Sequence, residues 1–267
     1  MARITGILLL LTVLTNWLYA QPSTRVISSE DLKSKEDIWN MLGIGVSNFE
    51  VDLMYIYGEL FVTATMPDSA NHTIPTFSDA YLFPLYSILK KNGNSIINGD
   101  SRESYILLNI HNDFKKTNFK LKSIVGPYKD LVTYKNGDIW HEGQIRFLIR
   151  DKNLQDEISK DGYSCIGWVG GKNDMESNLD SHQMPLIELN FEDITTWSGA
   201  GNIPFPDFVK IKELVNKIHQ KGRRLSIINC PNHKTAWDVL VTSNVDFINT
   251  NDPVNVGNFI NERKNNQ

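Results

Sequence analysis

Two carboxylates stand two residues apart in the apolar stretch Phe49-Glu50-Val51-Asp52-Leu53. Residues i and i+2 of a β-strand share a face, so Glu50 and Asp52 point one way and Phe49, Val51 and Leu53 the other. Two unpaired acids in an apolar setting either lose several kcal/mol each or take up protons, so a compensating cation is expected. A hard divalent ion with oxygen ligands would serve, and so would an arginine or lysine in a structural salt bridge. The segment Asn109-Ile110-His111-Asn112-Asp113 alternates in the same way. It puts Asn109, His111 and Asp113 on one face and offers His111 as a base or ligand, with Asn109 and Asp113 to orient it. Arg146 and Arg150 share the polar face of a third apolar segment. From a strand exit such an arginine can clamp a phosphate bidentately or neutralise Glu50 and Asp52. His219, on an amphipathic helical pattern, reads as structural.

The elements that must position these groups alternate along the chain. Strands are expected at 24–28, 48–53, 60–64, 105–110, 144–150, 164–168, 185–189, 224–229 and 245–249, and helices at 32–42, 78–91, 207–221, 234–242 and 254–263. Tyr57-Gly58-Glu59 makes 48–53 and 60–64 a hairpin. Gly167, Gly170 and Gly171 read as a loop. Nine strands with one such pair suit an eight-stranded α/β barrel, and 267 residues are enough for one. In a barrel, Glu50 and Asp52 would enter the interior near the C-terminal end of their strand.

Composition narrows the classes. With 41% hydrophobic and 22% charged residues the chain is globular in type. A formal charge of −4, and no basic run longer than Lys221-Gly-Arg-Arg224, argue against a nucleic-acid partner. Residues 1–20 read as a signal peptide: a basic start at Arg3, an apolar run, and Ala20 before Gln21-Pro22. The mature chain, 21–267, is then expected to be exported, periplasmic or extracellular, with no membrane span, 26 basic against 31 acidic residues, and one domain. Cys165 and Cys230 are expected as two buried free thiols, about two strand spacings apart and beyond disulfide reach. Asn71-His72-Thr73 is a glycosylation acceptor only in a eukaryotic host. No G-x-S-x-G, P-loop, HExxH or CxxC is present.

Trp197-Ser-Gly-Ala-Gly201 and the run VNKIHQKGRRLSIINCPNHKTAWDVLVTSNVDFINTND at 215–252 resemble the end of the phosphatidylinositol-specific phospholipase C-like / glycerophosphodiester phosphodiesterase superfamily, in its exported bacterial branch. A helix ending in His-x-x-Gly, a strand, a proline loop, a tryptophan-bearing helix and a strand ending in Asn-Thr-Asn-Asp carry the likeness. Upstream it extends through Phe49–Asp52 and Gly58–Ala64, and in all it covers most of residues 25–260. The resemblance implies a single (β/α)8 TIM-type barrel of the phospholipase C-like kind. It also implies metal-binding carboxylates, two histidines as general acid and base, a phosphodiester substrate, and a place in lipid metabolism.

Carried over residue by residue, the resemblance makes Glu50, Asp52 and Asn109 the metal-binding positions, for Mg²⁺ or Ca²⁺, with Asn109 where a carboxylate is expected. The phosphate loop becomes Arg150-Asp151-Lys152-Asn153, so Arg150 and Lys152 are the substrate-binding candidates. The second catalytic histidine falls on Ala64, and the first strand exits through Ser28-Ser29-Glu30 rather than a histidine. Ser226 stands for an arginine and Asn251 for the last aspartate. A positioned acid or base is worth about 10²–10⁴-fold, and two are missing.

Three functions follow, in order of preference. The first is a degenerate member, a pseudoenzyme or low-activity phosphoric diester hydrolase, that binds a phosphate-bearing small molecule or lipid headgroup. The second is an active metal-dependent phosphodiesterase with a relocated catalytic residue, His111. The third is a carboxylate-only hydrolase, such as a glycosidase, using Glu50 with Glu188 or Glu192.

Overall fold

The computed structural model describes residues 24–266, except 31, 68–73, 155–156 and 159–161, and excepting also the side chain of Lys152. The expected signal peptide, the Asn71 acceptor and the Lys152 side chain therefore lie outside the described residues.

The chain opens with β1 (Arg25–Ser28), α1 (Lys35–Gly43), β2 (Asn48–Ile56) and β3 (Glu59–Val62). A π-turn at Ser78–Leu82 leads into α2 (Phe83–Lys91), because Pro84 has no N–H to donate and the ladder ahead of it widens. Next come β4 (Ser104–Ile110), α3 (Phe114–Val125), β5 (Tyr134–Asn136), β6 (Ile139–His141) and β7 (Ile145–Ile149). The second half holds β8 (Tyr163–Ser164), β9 (Ile166–Gly170), β10 (Leu186–Asn190) and the single turn α4 (Phe191–Ile194). It ends with α5 (Phe205–Gln220), β11 (Arg224–Ile228), α6 (Lys234–Thr242), β12 (Phe247–Thr250) and α7 (Pro253–Asn265).

Eight parallel strands close on themselves in the order β1-β12-β11-β10-β9-β7-β4-β2, with β2 returning to β1. This is a TIM-type α/β barrel, as expected. Only the start of β2, Asn48 and Phe49, pairs with the short β1. Its upper half, Leu53–Ile56, would present a bare edge above the rim, and the antiparallel β3 covers it. Asn48 fastens the base of this seam: its amide donates to the Val26 carbonyl at 3.1 Å and accepts from the Tyr105 N–H at 2.9 Å.

Side-chain parity sorts the strands into two surfaces. Phe49, Val51 and Leu53 join the main core between barrel and helices. Ile27, Tyr105, Leu107, Leu148, Val169, Leu186 and Phe247 fill the barrel interior as a second, smaller cluster. On β4, β7, β10 and β12 the positions two residues beyond Leu107, Leu148, Leu186 and Phe247 reach the C-terminal mouth, as does the position two residues beyond Asn48 on β2. That is where Glu50, Asn109, Arg150, Glu188 and Asn249 stand.

Four expectations need correction. Helix α3 is absent from the sequence reading because its buried face carries Thr117 and Asn118 beside Leu121 and Val125, which hides the apolar period. The strand expected at 164–168 is two pieces: β8 joins a small sheet with β5 and β6, and β9 begins at Ile166. Gly167 and Gly170 lie within β9, not in a loop. A Cβ at Gly167 would stand 2.9 Å from the Gln183 carbonyl, and one at Gly170 2.6 Å from the Met184 sulfur, since the loop before β10 folds tightly against the strand. Arg223 pins that loop by donating to the carbonyls of Asp174, Ser177 and Leu179. Finally, Cys165 precedes β9 and Cys230 follows β11, so the two free thiols sit towards opposite ends of the barrel, and Cys230 is only half-buried.

Candidate functional site

At the C-terminal mouth, Glu50 from β2 and Glu188 from β10 face each other across Arg150, which follows β7. The Arg150 Nε donates to Glu188 Oε1 at 2.7 Å, and one terminal nitrogen donates to Glu50 Oε2 and Asn109 Oδ1, both at 3.2 Å. The other terminal nitrogen donates to Glu50 Oε1 at 2.5 Å and Glu188 Oε2 at 3.1 Å. A guanidinium has five N–H donors, and all five are used. From β12 the Asn249 amide closes the ring, donating to Glu50 Oε1 at 2.6 Å and Glu188 Oε2 at 3.2 Å. Glu188 and Glu50 are 8% and 17% exposed and Arg150 34%, so the pairing is partly withdrawn from water. Burial pulls the guanidinium pKa down, but the hydrogen bonds to Glu188 and Glu50 outweigh it and leave it above the ordinary arginine value.

Asp52, one step further along β2, leaves this network and meets His111 instead. The His111 Nε2 lies 2.7 Å from Asp52 Oδ1, with both side chains half-buried at the rim. The backbone of β4 is carried past its end to make this contact. The His111 N–H donates to the Leu53 carbonyl at 3.0 Å. The Asn112 side chain accepts from the Tyr55 N–H at 2.8 Å and donates to the Tyr55 carbonyl at 2.7 Å, mimicking a strand partner. Asp113 then caps α3 by accepting from the Lys116 N–H at 3.0 Å. The expected orienting pair for His111 is therefore corrected: Asp52 bonds its ring, Asn112 ties the adjoining backbone to Tyr55, Asn109 serves Arg150, and Asp113 serves the helix.

The cavity above the network has a volume of about 470 Å³, and Ser29, Asn229, Cys230, Asn249, Thr250 and Asn251 share its walls with Glu50, Arg150 and Glu188. Burial pushes the Cys230 thiol up to about 12, which leaves it protonated and a poor nucleophile.

The sequence candidates are thus divided. Glu50, Asn109 and Arg150 come together; Asp52 and His111 form a second pair beside them. Arg146 lies at the opposite end of the barrel, bonded to Glu103, Glu142 and the His182 carbonyl. Ser226 is buried in the interior with no hydrogen-bond partner for its hydroxyl. His219 pairs with Asp246 at 2.6 Å, in the structural role expected of it. Asn249 is the member that sequence reasoning missed. Its signal was the parity of Phe247 and Asn249 in Val245-Asp246-Phe247-Ile248-Asn249, the same alternation that singled out Glu50 and Asp52.

A divalent cation does not fit this donor set. The oxygens of Glu50 and Asn109 are turned onto a guanidinium that already holds the cation's place, and Asp52 is turned onto His111. Among the described residues no group of three or more His, Cys, Asp or Glu side chains could hold a metal ion.

No family model matches the chain, and no curated protein matches it. Among solved structures it is similar to a glycerophosphodiester phosphodiesterase from Agrobacterium tumefaciens str. C58, at 11% identity and a TM-score of 0.48, over 88% of this chain and 98% of that one. A structure from Aquifex aeolicus VF5 is similar at 11% identity and a TM-score of 0.48, over 92% and 93% of the two chains. Likeness at this level assigns no chemistry, and the barrel rests on its own strand pairing.

Proposed function

We propose that this is an exported barrel of the phosphodiesterase type that binds a phosphate-bearing polyol, such as a sugar phosphate or a lipid headgroup, at its C-terminal mouth, and turns phosphodiesters over slowly or not at all. The observation that carries the slow turnover is the saturated guanidinium of Arg150. It is bonded to Glu50 and Asn109, two of the three positions that the sequence resemblance makes metal ligands, and to Glu188, and it has no donor left for a phosphate. Arg150 then acts as a positioning residue that fixes Glu50 and Glu188. The ligand's hydroxyls, not its phosphate, meet the amide and hydroxyl walls supplied by Ser29, Asn229, Thr250 and Asn251. Export rests on the signal-like residues 1–20. Among the described residues no helix is long and apolar enough to cross a membrane.

The His111–Asp52 contact supports a second reading, residual turnover without a metal. Asp52 accepts from the His111 Nε2–H and holds the imidazole so that Nδ1 can accept a proton from an attacking hydroxyl. With a single histidine there is no matched acid for the leaving group, so the rate falls short of a two-histidine site. The carboxylate-only alternative loses its acid as well, because Glu50 and Glu188 both spend their oxygens on Arg150 and Asn249.

The test is calorimetry of the mature protein with glycerol 3-phosphate, inositol phosphate and the corresponding free polyols, beside hydrolysis of a chromogenic phosphodiester in EDTA. Binding that survives removal of the phosphate and weakens in Asn249→Ala supports the polyol reading. Hydrolysis in EDTA that His111→Ala abolishes would move the second reading to first place. Turnover that requires Mg²⁺ or Ca²⁺ would overturn both.

A further inference from the structure

The opposite end of the barrel holds a second polar cavity, of about 420 Å³, among the N-terminal ends of the strands. Arg25 heads β1, Tyr105 lies at the start of β4, Arg146 at the start of β7, and Arg224 heads β11; Arg102 and Asp246 complete the charged wall. Most of these charges are accounted for. Glu103 accepts from Arg146 at 2.9 Å and from the Thr133 hydroxyl at 2.5 Å. Asp246 takes His219, the Leu225 N–H and one nitrogen of Arg224. Arg102 chelates Asp100, and His182 sits against Glu142 and Asp180.

Arg25 is the exception. It donates once, to the Glu103 carbonyl at 2.8 Å, and lies 4.8 Å over the Phe247 ring; it forms no ion pair among the described residues. Four of its five donors have no acceptor among the described residues, the reverse of Arg150 at the other end. Burial first and Arg102 second push its pKa down to about 10. Lys264 is lowered too, by burial and then by Arg102. Beside Arg25, the Tyr105 hydroxyl is 6% exposed as a residue and has no hydrogen bond among the described residues. Its own burial raises it to about 12, so it remains a proton donor. Arg224, more than half exposed at the cavity wall, spends one bond on Asp246.

We propose that this floor cavity is an oxyanion site, in which Arg25, Tyr105 and Arg224 bind a phosphate-sized anion, free or carried on a small molecule. An anion there would take the unused donors of Arg25, accept from Tyr105, and offset the repulsion between Arg25 and Arg102. The floor of such a barrel ordinarily reads as stabilising structure. Arg146, Glu103 and Asp246 spend their polar groups on that role here, whereas Arg25 and the Tyr105 hydroxyl keep donors that no described residue takes.

Inorganic phosphate, which carries no polyol, separates this site from the mouth. Calorimetric titration of the mature protein should show one phosphate site whose affinity falls as salt is raised. Arg25→Gln should weaken it by about tenfold or more, as for a lost charge-assisted bond. Tyr105→Phe keeps the ring against Phe247 and should weaken it about threefold or more. Arg224→Gln should also weaken it, whereas His111→Ala at the mouth should leave it unchanged. Absence of binding at millimolar phosphate, or equal binding by wild type, Tyr105→Phe and Arg224→Gln, overturns the proposal, even where Arg25→Gln fails to fold. Should phosphate instead follow His111→Ala, the anion belongs to the mouth and the floor site is wrong.

Discussion

At the scale of single residues, the mouth is a problem in charge placement solved with one arginine. Two carboxylates brought within reach of the same guanidinium are tolerable only while that guanidinium is present. Arg150→Met should therefore lower stability by about 3–5 kcal/mol, because it leaves Glu50 and Glu188 facing each other without a cation. Adding Glu50→Gln and Glu188→Gln should restore more than half of the loss. Urea unfolding at neutral pH measures both, and a loss under about 1 kcal/mol for the single variant would mean that the ring of bonds does not hold in solution. Part of this arrangement was legible beforehand. The Glu50/Asp52 alternation announced that a cation was needed, and Arg150 was one named candidate. What spacing could not convey is that the two acids part company, one to Arg150 and one to His111. That depends on β2 being long enough to lift Asp52 above the ring, and on Asn112 stitching the β4 exit to Tyr55.

At the scale of elements, turns and caps show where the chain was readable and where it was not. The β2–β3 hairpin was legible from Tyr57-Gly58, and both residues have positive φ, 49° and 94°, as a two-residue type I′ turn demands. Tyr57 is 98% exposed and gains nothing from its ring there. Tyr57→Asn should stabilise the protein by about 0.5–1 kcal/mol, read as a higher urea midpoint at unchanged slope. Helix α7 was expected at 254–263 and runs Pro253–Asn265, yet its cap carries a second task. Asp252 accepts from the Asn255 side chain and N–H and from the Asn232 side chain, tying the helix to the loop after β11. Those bonds, Asn255 first, hold its carboxyl below the ordinary 3.8. A carboxyl lowered on folding adds stability above its ordinary value and loses it as pH falls through the folded value. Asp252→Ala should then cost about 1 kcal/mol at pH 7 and progressively less below pH 4. An undiminished penalty at pH 2.5 would show that the charge is not what the cap uses. Helix α3 marks the limit of such reading: with Thr117 and Asn118 on its buried face, no apolar period survives to be counted.

At the scale of the whole molecule, alternation of strands and helices, with inward parity at strand exits, was enough to specify the barrel and the end at which Glu50, Asn109 and Arg150 gather. It could not specify what supplies the positive charge at that end, since a metal ion leaves no residue in the sequence and an arginine 38 positions from its nearest partner leaves no local pattern. The two cases differ in how global stability responds to cations. A divalent ion held at the mouth at about 100 times its dissociation constant would add about 2.7 kcal/mol. For a domain of this size that is a rise of roughly 5–10 °C in Tm. With Arg150 already satisfying Glu50, Glu188 and Asn109, entry of an ion would require breaking five hydrogen bonds and placing two cations side by side. Thermal unfolding of the protein should therefore coincide in EDTA, millimolar Mg²⁺ and millimolar Ca²⁺, within about 1 °C once ionic strength is matched. A rise of several degrees that Glu50→Gln removes would mean that Arg150 swings away to admit the metal, and the mouth would then have to be read as a metal centre with an arginine lid.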